Sequence, residues 1–364
     1  MSTAVILGTR PELVKLASVI DALERRSEPT TVIHTGQHYD DSLSGSFLRD
    51  LGMREPDYRL GVGSGSQAGQ TAEMMVKLEE TLAEAKPDTV LVQGDTNTVL
   101  AGALAAAKMG IRVGHVEAGL RSGDRRMPEE YNRRVADHVS HLLFAPTKDS
   151  ERILRSEKVW GKIFVTGNTV IDACEKFVPV ALKKRGLASR LDVKDFILVT
   201  AHRAENVDDP EVLDALIGVL EKAPLPVVYP LHPRTRKRLE ENGLLERLEG
   251  CANVRLLPPA GYLDFLALMA KCRFIFTDSG GIQEEATAPS IRKRVLVFRR
   301  STERPEAVNA GYATVVGTSL ARILKAMNAE ARRSAKPQAK SPYGDGKAGE
   351  RIAKIVSTYR EGKR

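Results

Sequence analysis

The chain has 364 residues, 42% apolar and 28% charged, which is too long for one ordinary domain and suits two that each bury a core. No apolar run approaches the roughly 20 residues of a membrane span, and Cys174, Cys251 and Cys272 lack the spacing of a disulfide framework or a zinc site. The formal charge of +8 sits largely in residues 332–364, with ten Lys/Arg against three Asp/Glu, so the near-neutral remainder excludes a general nucleic-acid face.

The N-terminus has no basic leader and passes directly into a predicted strand at residues 4–7, so the expected compartment is the reducing cytoplasm. The loop Gly8-Thr9-Arg10-Pro11-Glu12 follows. Leu13, Val14, Leu16, Ala17, Ile20 and Leu23 then recur at helical spacing. Residues 31–35, 89–93, 113–116, 142–145 and 163–166 read as further strands. A second series runs through 196–200, 227–230, 254–257, 274–277, 295–298 and 314–316. Short β-branched strands alternating with amphipathic stretches predict parallel sheets covered by helices.

Gly167-Asn168-Thr169 is the expected junction, dividing the chain into domains 1–168 and 169–346, with a last helix in 347–364 packing back on the first. The polar stretch 187–194 suits an interdomain connection, and 332–342 reads as a loop. In a doubly wound fold, ligands bind at the carboxyl ends of the strands. Each loop singled out below follows a predicted strand.

Arg10, with Lys15 one helical turn on, offers positive charge for a phosphate, although the loop is neither a GxGxxG fingerprint nor a Walker sequence. Asp95 tops the strand 89–93, either as helix cap or as working acid. Glu117 ends the strand 113–116, where an acid has less structural reason to stand. Glu129 and Glu130 open a helix after Pro128, a place that the helix dipole also explains.

In the second half, His202 and Arg203 follow the strand 196–200, and imidazole titrates near neutrality. His232 repeats that placement, and Arg304 adds a further cation. Thr277-Asp278-Ser279-Gly280-Gly281 turns a strand into a helix, presenting backbone N–H groups at a positive end, a seat for a diphosphate. Glu285, about one turn later, is placed to accept from ribose hydroxyls. The first half thus brings carboxylates and the second an anion seat, His and Arg. No metal cluster, nucleophile elbow or redox fingerprint is present, so the chemistry expected is acid/base work on the substrate.

Taken together, Gly8-Thr9-Arg10-Pro11-Glu12, Gly94-Asp95-Thr96, Gly114-His115-Val116-Glu117-Ala118-Gly119-Leu120-Arg121, Pro128-Glu129-Glu130, Gly167-Asn168-Thr169, His202-Arg203, Asp278-Ser279-Gly280-Gly281-Ile282-Gln283-Glu284-Glu285 and Thr302-Glu303-Arg304-Pro305-Glu306 closely resemble the non-hydrolysing UDP-N-acetylglucosamine 2-epimerases. Thr35-Gly36-Gln37-His38-Tyr39 and Ala201-His202-Arg203-Ala204-Glu205-Asn206 resemble the archaeal branch. The resemblance implies two Rossmann-like domains facing a central cleft (the GT-B arrangement), a cytoplasmic homodimer, no cofactor, no metal, and neither nucleic acid nor membrane as partner. It implies interconversion of UDP-N-acetylglucosamine and UDP-N-acetylmannosamine through elimination of UDP and its re-addition.

By the same resemblance Asp95, Glu117, Glu129 and His202 are the catalytic candidates. Arg10, Lys15, Phe265, Ser279, Gly280, Gly281, Glu285 and Arg304, with Asp95, Glu117 and His202, are expected to bind the UDP-sugar. A 2-epimerase of a diacetamido uronic acid nucleotide is the nearest alternative, followed by a hydrolysing relative, a GT-B glycosyltransferase and a nucleotide-sugar sensor. Two departures stand out. The segment 286–294 is longer than the family's turn, so Arg292, Lys293 and Arg294 are expected at the cleft or dimer surface. Ala260 stands near a position where bacterial members often carry a base-contacting Gln, so uracil recognition is expected to rely on the backbone around residues 262–265. Arg203 and His232 suit an activator site, whose first-domain contacts are not evident in residues 40–46.

Overall fold

The computed structural model describes residues 1–37, 48 and 51–359. It divides into two compact units, residues 1–173 with 343–364 and residues 174–342. The division falls inside the helix Thr169–Lys183. The polar stretch 187–194 therefore lies within the second unit and is not the connection expected from its composition. Its charge reflects a surface position, and a short 3-10 turn, Leu187–Ser189, is tied to the second unit where Leu187 N donates to Asp264 Oδ1 at 2.8 Å.

The first unit carries a seven-stranded sheet in the order β3-β2-β1-β4-β5-β6-β7. The strands are β1 (Thr3–Leu7), β2 (Thr30–His34), β3 (Tyr58–Arg59), β4 (Thr89–Gln93), β5 (Arg112–Val116), β6 (Leu142–Ala145) and β7 (Lys162–Val165). All pair in parallel, and β1 and β4 are buried along their whole length. Helices on both faces explain why they read as unbroken apolar runs. The chain reverses its winding between β1 and β4, so the loops after these two strands open a crevice at their carboxyl ends.

The helix Arg10–Arg25 leaves β1 through a capping box: the Thr9 side chain serves the third helical N–H and Glu12 reaches back. Its Leu13, Leu16, Ala17, Ile20 and Leu23 are buried. The helix Ala348–Thr358 packs against it, burying Ile352, Ala353 and Val356. The approach is close enough that a Cβ on Gly349 would lie 2.7 Å from the Ser18 carbonyl carbon, so only glycine fits. Ala348 N and Gly349 N donate to the Asp172 carboxylate at 3.1 and 2.8 Å and fix the start of this helix.

The second unit has a six-stranded parallel sheet in the order β10-β9-β8-β11-β12-β13. Its strands are β8 (Ile197–Thr200), β9 (Val227–Pro230), β10 (Val254–Leu257), β11 (Phe274–Thr277), β12 (Val295–Val297) and β13 (Ala313–Val315). Both sheets thus have the doubly wound Rossmann order, and the second reverses between β8 and β11. Ile197, Val199, Leu216, Ile217, Phe274 and Phe276 belong to one core cluster beneath the site.

Candidate active site

In the first unit the reversal point is a cavity of about 470 Å³, lined among others by Arg10, Glu12, Lys15, Gln93, Asp95 and Glu117. Arg10, Lys15, Asp95 and Glu117, named from the sequence, therefore share one cavity. Glu117 leaves β5 with φ at 70°. This left-handed conformation costs a non-glycine residue on the order of 1 kcal/mol and clusters at functional sites. Its Oε2 accepts from Lys15 Nζ at 2.6 Å and from Gln93 Nε2 at 3.0 Å.

Asp95 forms an ion pair with Arg133, and its carbonyl accepts from Asn132 Nδ2 at 3.0 Å. The cap of the following helix, Asn97–Lys108, is Thr96, whose side chain accepts from Val99 N. The capping alternative for Asp95 is thereby overturned, because Thr96 stands one residue closer to the first free N–H groups. The Glu129–Glu130 pair also separates. Glu130 is buried, accepting from Ser122 N and Oγ at 2.9 Å and facing Arg133 and Arg134 at 3.3 and 3.2 Å. Glu129 is half-buried, and its side chain makes no hydrogen bond or ion pair among the described residues.

Two further groups, one lining the cavity and one behind it, are not evident from the sequence pattern. Glu12 is buried, with Oε2 accepting from Gly8 N at 2.6 Å and Thr9 N at 2.8 Å, while Oε1 meets Thr96 Oγ1. Burial raises its carboxyl pKa to about 7 against the lowering effect of these hydrogen bonds. His115 is buried between β4 and β6. Its Nε2 donates to the Gly94 carbonyl at 2.8 Å and Nδ1 lies 2.7 Å from Asp137 Oδ1. Asp137 also accepts from Gly119 N at 3.2 Å, so this pair braces the loops that carry Asp95 and Glu117. A Thr-x-x-Glu box at a helix start was the available signal for Glu12; the His115–Asp137 contact had none.

In the second unit the loops after β8 and β11 meet at Asp278. This fully buried carboxylate accepts from His202 N and Arg203 N at 2.9 Å and Asn206 Nδ2 at 3.1 Å through Oδ2. Its Oδ1 faces His202 Nδ1 at 3.4 Å. His202 is thus oriented by Asp278, with the His232 ring 5.4 Å away between centroids. His232 Nδ1 accepts from Arg234 N at 3.2 Å as a helix cap. Burial, then the charge of His202, holds its pKa below the usual histidine range.

Ser279 is the N-cap of the helix Gly280–Glu285 and makes no side-chain capping bond. The first-turn N–H groups of such a helix have no intrahelical acceptor. A Cβ built on Gly280 would stand 3.8 Å from both the Arg203 and Arg304 guanidinium groups, and one on Gly281 would meet nothing within 4 Å. Two cations therefore flank the helix start. Arg304 is held by Glu284, its Nε 2.5 Å from Oε1 of that buried carboxylate. Thr302 Oγ1 donates to Gln283 Oε1 at 2.7 Å and ties this loop to the same helix. Glu285 is half-buried one turn on. Phe265 is half-buried in the helix Tyr262–Lys271.

Arg292, Lys293 and Arg294 lie before β12, at the amino end of the sheet. They are not among the loops at the strand carboxyl ends, because residues 286–294 carry the chain from the helix after β11 back to the start of β12, with Ala286, Ala288 and Ile291 buried. Residues 40–46, the stretch in question for the activator site's first-domain contacts, are outside the described residues. No group of three or more His, Cys, Asp or Glu among the described residues could hold a metal ion, and no described helix is long and apolar enough to cross a membrane.

Comparison with known proteins adds to this geometry. Residues 21–357 match the family model described as UDP-N-acetylglucosamine 2-epimerase. The UDP-N-acetylglucosamine 2-epimerase of Methanocaldococcus jannaschii is 42% identical, the alignment covering 98% of this chain and 99% of that protein. The crystal structure of the M. jannaschii enzyme in complex with UDP-GlcNAc and UDP superimposes with a TM-score of 0.87 over 98% of this chain and 99% of that one, at 42% identity. The UDP-2,3-diacetamido-2,3-dideoxy-D-glucuronate 2-epimerase of Pseudomonas aeruginosa is 37% identical, covering 98% of this chain and 99% of that protein.

Proposed function

Because the chain belongs to the UDP-N-acetylglucosamine 2-epimerase family, we propose that it is an isomerase interconverting UDP-N-acetylglucosamine and UDP-N-acetylmannosamine. The observation that carries this reading is the 42% identity extending over 98% of the chain. The cavity that gathers Lys15, Asp95 and Glu117 supplies the chemistry.

The C2 hydrogen of the sugar is weakly acidic, so its removal must accompany loss of the leaving group at C1. A carboxylate takes the C2 proton, the C–H electrons form the C1–C2 double bond, and the C1–O bond breaks with its electrons going to UDP. A proton then reaches C2 from the opposite face while a UDP oxygen re-forms the bond to C1. Two faces require more than one acid/base group. Asp95 with Glu117 or Glu129 are assigned the proton transfers, while Arg10 and Lys15 supply cationic charge. In the second unit, Ser279, Gly280, Gly281 and Arg304 are assigned the departing diphosphate, which N–H donors and guanidinium charge stabilise. His202, oriented by Asp278, assists it; Glu285 takes the ribose and Phe265 the region of the base. A homodimer in the cytoplasm completes the reading.

Incubation with UDP-N-acetylglucosamine in deuterated water tests it. Deuterium should appear at C2 of both epimers, and its absence across the substrate concentration range would sink the assignment. The diacetamido-glucuronate nucleotide is the alternative substrate, and the 37% identical Pseudomonas relative supports it. Turnover compared on the two nucleotides decides between them.

A further inference from the structure

At the amino end of the second unit's sheet, opposite Ser279, lies a recess of about 230 Å³. Asp195 precedes β8 there, Arg273 precedes β11, and Lys293 and Arg294 precede β12. Residues 333–337 close it. Seven of its lining side chains are cationic and two, Asp195 and Glu330, are acidic. Three cations come from residues 292–294 and two, Arg333 and Lys336, from the basic tail, and the epimerase chemistry uses neither segment.

The acids do not balance this charge. Glu330 is taken up by Arg294 at 3.3 Å and Arg333 at 2.9 Å, and Asp195 stands 3.9 Å from Arg273. Four of the cations spend hydrogen bonds on neutral carbonyls. Arg292 Nη2 donates to Pro337 O at 2.9 Å, Lys271 Nζ to Ala188 O at 3.1 Å, Arg273 Nη2 to Ala331 O at 3.2 Å and Lys293 Nζ to Cys272 O. A carbonyl satisfies the donor but leaves the charge uncompensated. Arg273 Nε is buried without an acceptor, and exposed Lys336 has no ion-pair partner among the described residues. Burial pushes the Lys293 ammonium below the usual lysine range, and the charges of Lys336 and Arg273 push the same way.

We propose that this recess binds a small phosphate-bearing anion, a diphosphate or triphosphate group. Guanidinium forks match phosphate oxygens in pairs, and low-dielectric walls around like charges focus the field on an anion. At about 30 Å³ of liquid per water, the space equals some seven or eight waters, enough for a diphosphate and too small for a folded polymer.

The test is calorimetric titration of the full chain with inorganic pyrophosphate while saturating UDP occupies the other anion seat. One saturable site should persist under UDP and weaken several-fold between 50 and 200 mM salt. Arg273→Gln should weaken it at least tenfold without changing UDP affinity. Lys336→Gln, at an exposed side chain, should weaken it about threefold and keeps the test valid if the Arg273 variant does not fold. An Arg304→Ala protein should retain the site, which separates this proposal from the reading of the UDP seat. Loss of all pyrophosphate binding in the presence of UDP, or unchanged binding in both recess variants, would overturn it.

Discussion

Lys15 Nζ lies 2.6 Å from Glu117 Oε2, joining the helix after β1 to the end of β5 across the reversal point of the first sheet. The ammonium and carboxylate are only 16% and 7% exposed, so water screens them little. Replacing Lys15 by Met leaves a backbone-strained, mostly buried carboxylate without its cation. A charged hydrogen bond of this kind is worth about 1.5–3 kcal/mol. C2 deuterium exchange by Lys15→Met is therefore expected to fall roughly 10- to 100-fold. Unchanged exchange kinetics would show that the pair is ornamental to catalysis.

Asp95→Asn and Glu117→Gln keep shape and remove proton-accepting capacity. Each should retain UDP affinity within a factor of about three and lose exchange by about 10²-fold or more, the usual scale for a positioned acid or base. Fluorescence titration with UDP and mass spectrometry of the sugar nucleotide measure the two. If both variants turn over normally, the acid/base work is not in the first unit.

Arg304→Ala should weaken UDP binding at least tenfold. It also breaks the ion pair with Glu284, which is fully buried, and breaking a buried pair costs about 3–5 kcal/mol. The melting temperature should drop, and Glu284→Gln added to Arg304→Ala should recover part of it while UDP binding stays weak. Recovery of both together would mean that Arg304 acts on UDP only through the fold.

Glu12 gives a pH signature. Its folded pKa, raised to about 7 by burial, exceeds the ordinary 4.5, so the folded state binds this proton more tightly than the unfolded chain. The contribution is fully present below pH 4.5 and is lost as pH rises through about 7. It amounts to on the order of 3 kcal/mol at most. Urea unfolding of Glu12→Gln from pH 5 to 8 should show a smaller fall in stability with pH than the parent. Parallel curves would place the titration elsewhere.

Asp172 is the acceptor for the first N–H groups of the helix Ala348–Thr358. Asp172→Ala should cost about 1–2 kcal/mol, as loss of a capping carboxylate does. Amide exchange in residues 348–358 should accelerate in step. If that helix keeps its protection, packing of Ile352, Ala353 and Val356 alone holds it.

All but one of the described strands were legible in the chain, because parallel strands covered on both faces must be continuous apolar runs. β3, two residues at the sheet edge, was not: Tyr58–Arg59 carries no such run. The loops bearing Arg10, Asp95, Glu117, His202 and Ser279 were legible for the same reason, since each begins where a buried run ends. Polar character misled at 187–194, which is a surface stretch inside one unit.

The amino-acid order by itself thus determined two doubly wound sheets and the set of polar residues delivered to their carboxyl ends, since burial of a strand is a local property of its side chains. Only the tertiary structure decided how those residues are used. It separated Glu129 from the enclosed Glu130, made Thr96 the cap, set Asp278 behind His202, and brought Asp195, Arg273, Arg292 and Lys336 around one recess. Charge pairing and desolvation depend on distances between segments far apart along the chain, and those distances exist only once the chain has folded.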